Sequence, residues 1–218
     1  PVGTGPYQFV EYQPGVQIEL TRFDDYYRGP ASIKDVIYRV ITDVNTATVS
    51  LRTGEVDFGS FALTSYDEIV SDPNLVAHEW LGTTVLYFTV NHEVAPFDNK
   101  LVRQALNYAV DRDFILQANA EGFGLAIGEM LPESTFGYSD KIDKTYTYDP
   151  EKAKSLLAEA GIVTPMEIGT IKVPDGSGQA AAEVFMECLA DIGLNATIES
   201  LEMNKYFDDV DFGNYEIA

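Results

Sequence analysis

Apolar and polar residues alternate near the start of the chain with the two-residue period of a strand. Tyr7 to Tyr12 is one such run. Val16 to Phe23 is a second, with Val16, Ile18 and Leu20 on one face and Gln17, Glu19 and Thr21 on the other. Pro14-Gly15 separates them, and proline presets φ while glycine tolerates a positive one, so the pattern predicts a β-hairpin. Val36 to Ile41 is nearly continuous and rich in β-branched residues, which predicts a buried strand. Asn45 to Thr53 predicts a short helix, capped by Asp43 or Asn45 and stopped by Gly54. Ser65 and Glu68 have the spacing of a capping box and open another short helix, which Asp72-Pro73-Asn74 ends. Val56–Phe58, Leu75–Glu79 and Thr83–Val90 read as strands.

After Asn91 the period lengthens. Leu101, Ala105, Leu106 and Ala109 form one helical face behind a cap at Asp98, and Asp111-Arg112-Asp113 restarts a second helix. A long glycine-containing loop runs from about Gly122 to Thr147. Asp149 as N-cap, Pro150 at the first helical position and Gly161 at the end frame a helix striped by Ala153, Leu156, Leu157 and Ala160. A strand from Met166 to Val173 and a Pro174–Gly178 turn follow. Next come a helix from Gln179 to Asp191 and a strand from Asn195 to Leu201. Helix and strand alternate as in an α/β domain. Tyr215–Ala218 reads as the start of a further strand, and the expectation is that the chain is a piece of something longer. Composition shifts between Val85 and Pro96, which places a domain boundary there.

At 218 residues the chain is long enough for a real core, and 45% hydrophobic with 22% charged residues excludes wholesale disorder. Its net charge of −21 disfavours binding to phosphate backbones or to an anionic membrane surface. No run reaches the length of a transmembrane helix, and the abrupt opening at Pro1-Val2-Gly3 is not expected to read as a signal peptide. One cysteine, Cys188, allows no internal disulfide.

Catalytic signatures are scarce. His78 and His92 are far apart, and zinc needs about four clustered ligands. Cys188 lies on the buried stripe of its helix, where a thiol is inert. Gly3-Thr4-Gly5-Pro6 lacks the lysine and hydroxyl ending of a phosphate loop. Asp208, Asp209 and Asp211 do not have calcium-loop spacing and read as a solvated acidic helix end. No cofactor and no metal site is implied, and a hydrolase, which needs a clustered nucleophile and base, is disfavoured.

Five segments, in this order and at these spacings, resemble one family. They are Pro1-Val2-Gly3-Thr4-Gly5-Pro6-Tyr7 with the following hairpin and Arg22–Gly29; Leu51-Arg52-Thr53-Gly54-Glu55-Val56-Asp57; Pro96-Phe97-Asp98-Asn99; Val102–Arg112; and Tyr148–Gly161. The chain is similar to the extracellular solute-binding proteins of the peptide/nickel ABC importer family, of the dipeptide- and oligopeptide-binding type.

The resemblance implies an α/β, two-lobed periplasmic-binding-protein-like fold of type II with an extra domain, here incomplete. Residues 1–85 would be part of a strand-rich first lobe, 86–96 the hinge region and 97–218 part of a second lobe truncated at its C-terminus. It implies capture of a peptide or other small solute and delivery to ABC transporter permease subunits, with no catalysis and no nucleic acid, by a monomer. The location would be extracytoplasmic, in the periplasm or as a membrane-tethered lipoprotein. A nickel chelate or sugar as solute, or a peptide-sensing receptor on the same fold, are the alternatives. Expected ligand contacts are Phe61, Ala62, Tyr87, Asn91, Lys172, Val173, Asp175 and Gly176. Dipeptide binders often carry an arginine for the peptide carboxylate after the strand at Met166–Val173. Here Lys172 stands nearby without the bidentate fork of a guanidinium.

Overall fold

The structure, a computed structural model, describes residues 3–218; Pro1 and Val2, which open the first family-like segment, lie outside the described residues. It divides into two compact units, Pro1–His78 and Glu79–Ala218.

The first unit is built on an antiparallel three-stranded sheet in the order β1 (Tyr7–Gln13), β2 (Gln17–Arg22), β3 (Asp35–Arg39). Gly15 takes φ 73 in the β1–β2 turn, which explains a glycine there. Register pairs Tyr12 with Ile18 and Ile18 with Tyr38, and a bulge between Phe9 and Glu11 resets β1 so that Phe9 faces Leu20. β3 is an exposed edge strand, with Ile37 at 57% and Tyr38 at 60% exposure, so the expected burial of Val36–Ile41 is corrected. An apolar run specifies a strand, but only a covering layer buries it.

Helix α1 (Val44–Thr53) is capped by Asp43, whose carboxylate accepts from the Thr46 N–H at 2.8 Å, and it ends at Gly54 with φ 74. These hydrogen bonds from Thr46 hold the Asp43 carboxyl below the usual range. A 3-10 turn (Leu63–Ser65) leads into α2 (Tyr66–Ser71), where Ser65 makes no side-chain capping bond despite its box spacing. Val56–Phe58, Leu75–Glu79 and most of Thr83–Val90 form no strand. Their residues have strand propensity, but a strand exists only where a neighbour accepts and donates along its backbone. The exception is Val90, which bridges to Ile217.

The second unit contains α3 (Lys100–Ala109), α4 (Arg112–Ala120), α5 (Asp140–Asp143), α6 (Pro150–Glu159), β4 (Met166–Pro174), α7 (Gln179–Asp191), β5 (Leu194–Leu201) and α8 (Met203–Asp211). Its caps follow the sequence with one shift. Asn99, not Asp98, accepts from the Leu101 N–H at 2.9 Å, while Asp111 caps α4 and Asp149 caps α6. β4 and β5 are parallel and joined through α7, a βαβ unit. The last residues extend this sheet. Ile217 pairs parallel to β4, with Lys172 N–H donating to its carbonyl at 2.9 Å, and Thr89 and Ala218 exchange backbone bonds at 2.7 and 3.0 Å. The core packs α3, α6 and α7 on β4 and β5, centred on Phe97, Val102, Leu157, Ile171, Leu189 and Leu194.

Candidate functional site: the strand ends of the second unit

In parallel α/β units, ligands sit beyond the carboxyl ends of the strands, where the chain turns into helices. In the second unit that end is formed by Lys172–Pro174 of β4, the Asp175–Gly178 loop, Ser200–Leu201 of β5 and the start of α8. The loop is shaped by two glycines in the left-handed region, Gly176 at φ 76 and Gly178 at φ 77. Gly178 is the N-cap of α7 and carries no side-chain cap, so the helix's first N–H groups have no capping side chain.

Each expected contact has a definite place. Asp175 is exposed but held: its N–H donates to the Leu201 carbonyl at 2.7 Å and its carboxylate accepts from the Ser200 hydroxyl at 2.5 Å. Gly176 forms the exposed turn beside it. Val173 is 3% exposed and belongs to the core, leaving its backbone at this end. Lys172 does not present a free ammonium. Its Nζ donates to Asp209 at 2.7 Å and to the Asn214 carbonyl at 2.6 Å. Lys205, one helical turn before Asp209, donates to the other carboxylate oxygen. Asp209 is therefore buried under two lysines, and the reading of Asp208, Asp209 and Asp211 as a solvated helix end is corrected at this residue.

Asn91 serves as a structural clasp. Its side-chain amide donates to the Gly213 carbonyl at 3.0 Å, and its side-chain oxygen accepts from the Glu93 N–H at 3.1 Å. Tyr87 lines a groove of about 230 Å³ with Val85, Leu86, Tyr206, Phe207 and Val210. Burial, followed by neighbouring Tyr87 and Tyr215, pushes the Tyr206 phenol up, so it is a neutral hydrogen-bonding group at neutral pH. Phe61 and Ala62 belong to the first unit. Ala62 is buried, its N–H donating to Thr48 Oγ1 at 2.9 Å, and the Phe61 ring lies 6.4 Å from that of Tyr66.

The structure thus brings Lys172, Val173, Asp175 and Gly176 together at one strand end. Sequence reasoning missed Tyr206, Phe207 and Lys205, and it placed Asp209 on a solvated helix end. The i,i+4 spacing of Lys205 and Asp209 could have signalled their pairing; the third partner, Lys172, comes from another element and could not. His78 and His92 are exposed, and no group of three metal-ligating side chains exists among the described residues. Burial pushes the Cys188 thiol up, which keeps it protonated and unreactive. No helix among the described residues is long and apolar enough to cross a membrane.

This arrangement has well-matched counterparts. The chain is 35% identical to heme-binding protein A of Haemophilus influenzae, over 94% of this chain and 39% of that protein. It is 30% identical to the dipeptide-binding protein of Escherichia coli, over 99% of this chain and 41% of that protein. Among solved structures, the periplasmic binding protein DppA of Helicobacter pylori, in complex with the peptide STSA, superposes with a TM-score of 0.81 at 30% identity. It covers all of this chain and 42% of its own. The chain thus spans about two fifths of the length of the curated relatives it matches. These structures are mixed α/β periplasmic binding proteins, and that is the fold to which this chain contributes its part. The model of the bacterial extracellular solute-binding proteins, family 5, matches residues 1–218 from end to end, and the chain belongs to that family.

Proposed function

We propose that the full-length protein is the solute-capturing component of an ABC importer, that its solute is a peptide, and that it acts by binding rather than by breaking bonds. The observation that carries this is the family match across all 218 residues. The strand end supports it physically. A peptide needs backbone donors for its carbonyl and carboxylate oxygens and tolerant surfaces for its side chains. The uncapped start of α7 offers the first, and the groove beside Tyr87 and Tyr206 offers the second. Asp175, Gly176 and Tyr87 are the side of this unit that meets solute. Lys172, Val173 and Asn91 hold that side in place, and Ala62 does the same for Phe61 in the first unit.

The delivery partner is a membrane permease, and the working location is extracytoplasmic, in the periplasm or tethered as a lipoprotein. The protein works as a monomer without a cofactor. Thermal-shift titration of the full-length protein tests the reading, with a peptide pool, single dipeptides, heme, a nickel chelate and sugars. A ligand at 100 times its Kd adds about 2.7 kcal/mol of stability, which raises Tm by several degrees. A rise with peptides alone is expected. A rise with heme, chelate or sugar alone keeps solute capture and overturns the peptide. Hydrolysis of the peptides overturns the binding-only role.

A further inference from the structure

The strand end of the second unit carries an exposed charge that its own surroundings leave unbalanced. Asp175 follows β4 directly, and two bonds fix it: its N–H donates to the Leu201 carbonyl at 2.7 Å, and its Oδ1 accepts from the Ser200 hydroxyl at 2.5 Å. Val173 pairs with Ser200 and Pro174 with Leu201, so the register of β4 and β5 holds the carboxylate in place. Among the described residues Asp175 forms no ion pair. The cations that could balance it are committed elsewhere. Residues 172–218 contain no arginine or histidine and two lysines, Lys172 and Lys205, and both are bonded to Asp209. Glu202, the other carboxylate at the turn from β5 into α8, is engaged as the cap of α8, accepting from the Asn204 and Lys205 N–H groups.

We propose that this strand end selects for positive charge: the part of the solute seated beside Asp175 is an ammonium or guanidinium group, and Asp175 determines the preference. The inference rests on the reading of the strand end as the solute site and names the class of solute it takes. A solute seated here displaces water from Asp175, and a carboxylate that loses water needs a cation or several donors in exchange. Ser200 supplies one donor, and no free lysine or arginine of the strand end supplies the rest. A solute carboxylate in the same place would set like charges side by side with no cation to hold them. A solute cation completes the pair instead, and the fixed carboxylate loses little freedom in making it. The N–H groups at the start of α7 remain available to a neutral carbonyl oxygen of the same solute.

The test is isothermal titration of the full-length protein with trialanine, with trialanine carrying one lysine or one glutamate at each position in turn, and with N-acetyl-trialanine. Lysine at one position is expected to bind about tenfold more tightly than glutamate there, or N-acetylation to weaken binding about tenfold. The first result assigns the cation to a side chain, the second to the peptide's own amino terminus. Asp175→Asn, whose amide oxygen still accepts from Ser200, is expected to abolish that difference. Glu187→Gln, the same change of charge at an exposed residue of α7, is expected to leave it in place. If Asp175→Asn does not fold, the preferences of the native protein decide alone. A difference that survives Asp175→Asn, or that Glu187→Gln abolishes equally, overturns the inference. So does the lack of any preference, or tighter binding of the glutamate peptides; peptide capture stands in all these cases. Binding of none of the peptides overturns peptide capture and this inference together.

Discussion

Lys172 Nζ lies 2.7 Å from Asp209 Oδ2, and this bond joins strand β4 to helix α8 across 37 residues of sequence. The same ammonium reaches the Asn214 carbonyl, and Lys205 takes the second carboxylate oxygen, so every acceptor and cation in the cluster is engaged. The lysine nearest the loop before α7 is thus spent on the scaffold. A solute carboxylate at this strand end would meet backbone N–H groups rather than a free ammonium.

Removing the acid should be the more damaging change. Asp209→Asn leaves two lysines facing a neutral amide, while Lys172→Met leaves Asp209 paired with Lys205. Both should lower Tm, with Asp209→Asn lowering it more. The hydrogen bonds from Lys172 and then Lys205 hold the Asp209 carboxyl below its ordinary value of 3.8. A depressed carboxyl stabilises the fold above its unfolded value and loses that contribution as pH falls through the folded one. The Tm gap between the native sequence and Asp209→Asn should therefore be steady near neutral pH and narrow below about pH 4. A gap unchanged down to pH 3 would remove the ion pair from the explanation.

Two glycines with the same backbone should differ in tolerance. Gly161 and Gly193 both sit in the left-handed region, at φ 77 and 83. A Cβ at Gly161 meets nothing within 4 Å, whereas one at Gly193 would lie 2.7 Å from Thr164 Cβ. Gly161→Ala should cost about 1 kcal/mol from backbone strain alone. Gly193→Ala should cost about 2–3 kcal/mol, because Thr164 must also move. Urea midpoints of the two variants give the ordering.

Phe97 tests where the core of the second unit lies. Its ring is fully buried, and its carbonyl accepts from Arg103 at 2.7 Å. Phe97→Ala should cost about 3–5 kcal/mol. Phe58 is 84% exposed, and Phe58→Ala should stay within about 0.5 kcal/mol in the 218-residue chain. Chemical denaturation of both variants checks the contrast.

The charge sum predicts a salt response. With 35 acidic against 14 basic residues, most carboxylates have no cationic partner, and their mutual repulsion opposes the compact state. Screening shortens with added salt, from about 10 Å at 0.1 M to about 3 Å at 1 M. Tm should rise as sodium chloride increases over that range. A flat or falling Tm would show that local pairs, not the net charge, dominate.

Local chemistry was legible in the sequence wherever a single segment carries its own instruction. Asp149-Pro150 starts a helix in any surroundings, Pro14-Gly15 closes a hairpin, and the Gln179–Asp191 stripe repeats at the helical period. The spaced motifs from Gly3 to Gly161 carried the family as well. What needed the folded molecule was every relation between segments. Leu75–Glu79 has strand propensity but forms no strand, because pairing requires a neighbour that propensity cannot supply. Val36–Ile41 has a core strand's composition, yet Ile37 and Tyr38 within it lie open. Lys172 reads as a free cation until Asp209 arrives from α8. Propensity and capping are properties of a few consecutive residues, so sequence determines them; burial, strand pairing and the partner of a charge depend on residues brought together by folding, and only the tertiary structure decides them.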